Sequence, residues 1–98
     1  MEVLKLSYQA YKQYKALVNG NEDIRIHDAE KKLTRCMHLA IPLSKTLDGE
    51  GIIYSYGSMR FLVKHGEVKW VGNRFFVPPM WYKDEGKYFE LTVKLGIA

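Results

Sequence analysis

The chain changes its hydrophobic period once, and that change limits its fold more than any other feature of the 98 residues. Up to Pro42 the apolar side chains recur at the three- and four-residue intervals of helices, and from Ile52 onward they alternate as strands do. In the first part, residues 2–6 alternate as a short strand, and Ser7 offers a helix cap. Tyr11, Tyr14 and Val18, with Ala10 and Leu17, then mark one face of a helix over Tyr8–Val18, while Lys12, Gln13 and Lys15 take other faces. Asn19-Gly20 ends it in the left-handed way. Asp23 to His27 reads as a brief extended piece, after which Asp28 caps a second helix and Glu30 lies near the positive end of its dipole. Ala29, Leu33, Cys36, Met37 and Ala40 form its apolar stripe, and Pro42 stops it.

The second part is read as sheet. After a loop from Ser44 to Gly51, strands are expected over Ile52–Tyr56, Met59–Lys64 and Glu67–Val71, the last two joined by a tight His65-Gly66 turn. Phe75 to Tyr82 is apolar, but Pro78 and Pro79 make it an edge strand or a bend, and Lys83 to Lys87 is a turn. Tyr88 to Leu95 alternates most cleanly, with Phe89, Leu91, Val93 and Leu95 on one side, and is read as a final strand. Helices first and antiparallel strands afterwards give an α+β fold: two N-terminal helices packed on one face of a four- to five-stranded, mainly antiparallel sheet, in a single domain over residues 1–98. The sheet's other face is then the natural place for Tyr54 or Tyr56, Arg60, Lys64 and Lys69 to reach solvent, although a register slip of one residue exchanges the faces.

Charge narrows the partners. Residues 1–50 hold eight basic and seven acidic side chains and residues 51–98 hold seven and four, so +3 of the +4 net charge lies in the strand-rich half. A positive field of this kind suits RNA or DNA. Cys36 is the one cysteine, which excludes an intramolecular disulfide and fits a cytoplasmic location, and no apolar run is long enough for a membrane span or a secretory signal. His27, Cys36 and His38 lack the spacing of a zinc site, no phosphate loop is present, and no metal or cofactor is expected.

Two groups of residues fit a nucleic-acid face. Lys31, Arg35 and His38 are spaced to share one exposed helix face, where they are either phosphate contacts or a plain solvated surface. Tyr54, Tyr56, Phe61 and Trp70 interleave with cations as in proteins that stack single-stranded bases, a pattern that cross-strand packing also produces. Cleavage of RNA by its own 2′-hydroxyl needs positioning, cationic charge and an acid and base. Arg60, Lys64, His65, Lys69 and Arg74 lie within fifteen residues of one another, just after Tyr54 and Tyr56, and supply those materials.

Leu47-Asp48-Gly49, Gly57-Ser58-Met59-Arg60 with the apolar residues that follow, and Val71-Gly72-Asn73-Arg74, in an order of strand, two helices and strands, resemble the RelE/ParE-like toxin fold over residues 1–74. The resemblance implies a metal-independent mRNA endoribonuclease in which Arg60 contacts the scissile phosphate and Arg74 assists; the residues themselves offer His65 and Tyr56 as acid and base. The resemblance leaves open an antitoxin as partner. ParE-like relatives share the fold without being ribonucleases, and the Asp23–His27 insertion and the Phe75–Ala98 extension depart from a minimal member. The alternative is a non-catalytic accessory protein of a virus or mobile element that binds nucleic acid or a host protein, with Trp81 and Tyr82 exposed. A homodimer through a strand edge or through Phe75 to Tyr82 is compatible with either reading.

Overall fold

The two N-terminal helices form where the apolar spacing puts them. In a computed structural model that describes residues 1–73 and 76–97, β1 (Lys5–Leu6) leads into α1 (Tyr8–Leu17) and then α2 (Ile26–Leu39). Ser7 caps α1: its hydroxyl accepts the Ala10 N–H at 3.1 Å, and past the helix end Gly20 takes φ +88°, a conformation open to glycine. Asp28 is not the cap of α2. The helix starts two residues earlier, at Ile26, with Arg25 at the N-cap and no side-chain cap, which leaves Asp28 in the first turn beside the positive end of the dipole.

Four further strands follow: β2 (Ile41–Lys45), β3 (Gly51–Tyr56), β4 (Met59–Lys64) and β5 (Glu67–Asn73), in the sheet order β1-β5-β4-β3-β2. β1 runs parallel to β5 and every other pair is antiparallel, so the expected α+β sheet has five strands. The expected loop from Ser44 is shorter than that, because β2 occupies residues through Lys45. Pro42 lies in this edge strand, where one ladder face needs no N–H. His65 and Gly66 take φ 52° and 75°, the pair of positive angles that a type I′ hairpin turn needs. In β5, Trp70 pairs with Leu62 and Val68 with Val63, so Lys69 is an extra, bulged residue, and its carbonyl accepts the Ser7 hydroxyl at 3.0 Å.

The core lies between α1, α2 and one face of the sheet. Leu4, Leu6, Ala10, Tyr14, Ala29, Leu33, Cys36, Met59, Phe61, Val68 and Val71 form its buried cluster. Phe61 is fully enclosed, a burial that stabilises by about 1.5–3 kcal/mol. Tyr54 stacks on Phe61 at 5.6 Å, and Tyr54 and Tyr56 both pack against this cluster. The tyrosines therefore face the helices and not the opposite, open side of the sheet, the exchange that a one-residue register difference produces.

The largest correction concerns the C-terminal segment. Tyr88 to Leu95 is not a strand but most of a third helix, α3 (Glu85–Leu95). Asp84 caps it by accepting the Lys87 N–H at 3.0 Å, and Gly96 closes it at φ 68°. Of the alternating apolar residues, Leu91 and Leu95 are buried against Leu39 of α2, whereas Phe89 and Val93 face solvent. A four-residue interval is thus the period that burial follows. The segment before α3, from Phe76 on, contains no strand. It bends back so that the Trp81 indole N–H donates to the Leu39 carbonyl at 3.1 Å and satisfies one of the open C-terminal acceptors of α2.

Candidate nucleic-acid interface

A cleft of about 490 Å³ opens where the end of α1, the middle of α2, the β3–β4 turn, the end of β5 and the start of α3 meet. Lys32 and Arg35 come from α2, three residues apart and hence on neighbouring positions of one helix face. Tyr14, Tyr56 and Tyr88 bring hydroxyls, Asn21 and Asn73 bring amides, and no aspartate or glutamate lines the cleft. The Lys32 ammonium donates to the neutral Asn21 amide oxygen at 3.1 Å, so its charge is not cancelled there.

Arg35 is the centre of this arrangement. Its guanidinium stacks 4.2 Å from the centre of the Tyr88 ring and donates from Nη1 to the Thr92 hydroxyl at 2.8 Å, while that hydroxyl donates to the Tyr88 carbonyl at 2.8 Å. The residue is only 8 % exposed. Among the described residues, its Nε is the one buried side-chain nitrogen or oxygen without a hydrogen-bond partner. Lys83 places a second cation over the same Tyr88 ring at 3.9 Å, with Glu85 3.8 Å from its ammonium. α3, which alternation disguised as a strand, is therefore the element that holds Arg35 in place.

Three groups that line the cleft, Cys36, Tyr14 and Tyr56, hold their protons more tightly than usual. Burial pushes the Cys36 thiol up to about 12 against the opposing pull of Arg35 and Lys32, so it is a core group and no nucleophile. Burial likewise raises Tyr14, and it pushes Tyr56 up to about 12. At neutral pH the Tyr56 phenolate is present at on the order of one part in 10⁵, which is poorly matched to a general base.

The residues expected to act together do not converge. Arg60 was expected in solvent, yet it is 5 % exposed on the face of the sheet away from α1 and α2. There it donates to Ser55 Oγ (2.8 Å), to the Gly57 carbonyl (3.0 Å) and to the Phe76 carbonyl (3.3 Å), and it lies 5.2 Å from the Phe76 ring centre. Tyr56 is on the opposite sheet face from Arg60, and His65 is in the turn at the far end of β4, a strand length of about 17 Å away. Arg74 lies outside the described residues.

The cations assigned to nucleic acid separate in the same way. Lys64 bonds Asp48 at 2.6 Å and approaches Glu50 at 3.7 Å, and Lys69 bonds Glu67, so both are paired with carboxylates. Lys64 and Asp48 pull on each other, raising the lysine and holding the Asp48 carboxyl well below its ordinary range. Tyr54 is half-buried against the core, and Lys31 is half-buried near Leu4 and His27. The helix face expected to expose Lys31, Arg35 and His38 exposes only His38 fully, because α3 packs over Arg35. Two of the residues singled out from sequence, Arg35 and Tyr56, line the cleft; Lys32, Asn21, Asn73 and Tyr88 were missed. Lys32 beside Arg35 was visible as an i, i+3 pair, but the other walls needed the tertiary fold.

Among the described residues no helix is long and apolar enough to cross a membrane, and no group of three or more His, Cys, Asp or Glu side chains gathers as metal ligands. No curated protein and no solved structure matches the chain. One family model, YorE, matches residues 4–94, a span that contains every wall of the cleft, and the chain accordingly belongs to the YorE family.

Proposed function

We propose that this protein binds single-stranded nucleic acid in the α1–α2–α3 cleft and does not cut it. The observation that supports this most is the meeting of Lys32 and Arg35 at a cavity lined by tyrosines and amides and, among the described residues, by no carboxylate. Elsewhere Lys64 and Lys69 are paired with carboxylates and Arg60 is buried in the sheet. A cavity is also a poor fit to the smooth surface of a duplex, whereas an unpaired nucleotide can enter it. The burial of Arg60 and its distance from His65 favour binding over RelE-like cleavage, because a transition-state cation must reach the phosphate.

The test is fluorescence anisotropy with single-stranded RNA, single-stranded DNA and duplex DNA at two salt concentrations, with the RNA recovered on a gel and ribosomes included in a parallel reaction. Salt-sensitive binding of single strands with the RNA left intact is expected. Cleavage abolished by Arg60→Lys, in a variant that still melts cooperatively, would return the assignment to the RelE-like nuclease. Absence of binding to any of the three would move it to a protein partner.

A further inference from the structure

The chemistry of Arg35 specifies more than a general attraction for phosphate. Nη1 is committed to Thr92, and Nε and Nη2 make no hydrogen bond with the described residues. Nε and Nη2 form the side edge of the guanidinium, two parallel donors spaced to take two oxygens of one phosphate. A buried donor without an acceptor is unfavourable, so an oxyanion seated on this edge would satisfy Nε. Nε is closed off from solvent, so an oxygen that reaches it must displace its cover.

The charge around that edge suits a dianion. Lys32 lines the cleft with Arg35, and among the described residues no carboxylate does. An internal phosphodiester has one negative charge, and a terminal phosphomonoester has nearly two at neutral pH. The cavity's volume of about 490 Å³ is in the range that takes one small ligand. Leu17, Val18 and Met59 give it an apolar wall for a base, and the amides of Asn21 and Asn73 can meet a base edge.

We infer that the cleft is a site for one nucleotide bearing a terminal phosphomonoester, its phosphate on the Nε–Nη2 edge of Arg35 and on Lys32. This deepens the nucleic-acid reading by making the ligand the phosphorylated end of a strand, and the two stand or fall by different results.

The test is competition against a labelled ten-nucleotide single-stranded RNA, prepared with a 5′-phosphate, with a 3′-phosphate and with hydroxyls at both ends. Competitors are adenosine 5′-monophosphate, adenosine and inorganic phosphate. One of the phosphorylated RNAs is expected to bind about tenfold or more tighter than the unphosphorylated one, with the nucleotide competing and adenosine failing. Which end binds tighter distinguishes a 5′ from a 3′ phosphate source. Lys32→Gln, on a partly exposed residue, is expected to remove most of that difference, which keeps the test open if Arg35→Gln fails to fold. Equal affinity for all three RNAs and no competition by the nucleotide would overturn the inference while leaving single-strand binding intact. Direct binding of the nucleotide in calorimetry without binding of any RNA would support the site and overturn the nucleic-acid reading. Inorganic phosphate competing as well as the nucleotide would overturn the assignment to a nucleotide.

Discussion

Replacing Arg60 by alanine should destabilise the domain severely, the opposite of what its expected place in solvent implies. Among the described residues the side chain closes the outer face of the β3–β4 hairpin by donating to Ser55, Gly57 and Phe76, and through contact with the Phe76 ring. Hydrogen bonds from a charged donor contribute about 1.5–3 kcal/mol each, and they do not add. Two acceptors retain a partner in the variant, because Ser55 Oγ itself donates to the Gly57 carbonyl at 2.9 Å. Loss of a buried charge also removes its desolvation cost. The net expectation is a loss of about 2–4 kcal/mol, which for a domain of this size lowers the melting temperature by about 10–25 °C. Arg60→Lys should recover only part, since an ammonium cannot span the three acceptors as a planar fork does. Thermal unfolding followed by circular dichroism reads the effect directly. An Arg60→Ala protein that melts within a few degrees of the parent would refute the structural role and restore Arg60 as a candidate for contact with ligand.

Other consequences follow from the cleft and its supports. Thr92→Val removes the acceptor of Arg35 Nη1 within α3, and is expected to cost about 1–3 kcal/mol in urea unfolding and to weaken RNA binding as well. Trp81→Phe leaves the Leu39 carbonyl without its indole donor and should cost about 1 kcal/mol without changing RNA affinity, since neither group lines the cleft. Cys36, buried with its thiol raised to about 12, should resist alkylation by iodoacetamide at pH 8 until the protein is unfolded. Tyr14, Cys36 and Tyr56 all have folded values above their ordinary ones, so the folded state holds protons that the unfolded chain releases. Their contribution should be complete below about pH 9 and fall as pH rises through about 12, which urea midpoints measured across that window will register.

The sequence revealed the parts of this fold whose period has one reading. α1, α2 and the β3–β5 strands follow from spacing, from Ser7 and from the His65-Gly66 turn, because each is long enough or well enough bounded to exclude the other period. Tyr88 to Leu95 satisfies both periods, since Phe89, Leu91, Val93 and Leu95 alternate while Leu91 and Leu95 are also one helical turn apart. Asp84 and Gly96 bracket it as helix caps, and they are the local signal that decides between the two. That one reading propagated to the site. Without α3, Arg35 looks like a solvated surface residue, and Tyr88 and Thr92 have no reason to stand beside it. Arg60 failed differently: its cover comes from Phe76, sixteen residues away, and no periodicity reports a contact of that kind.

Entry of nucleic acid into the cleft around Lys32 and Arg35 can be read residue by residue in an amide NMR titration. Adding a 5′- or 3′-phosphorylated ten-nucleotide single-stranded RNA to ¹⁵N-labelled protein at low salt should move the backbone signals of Lys32, Arg35, Ser58 and Tyr88 and the side-chain amides of Asn21 and Asn73. Signals at the His65-Gly66 turn, at the far end of the β4–β5 hairpin, should stay in place. Shifts concentrated at Lys64, His65 and Lys69, with the cleft signals unmoved, would contradict the account.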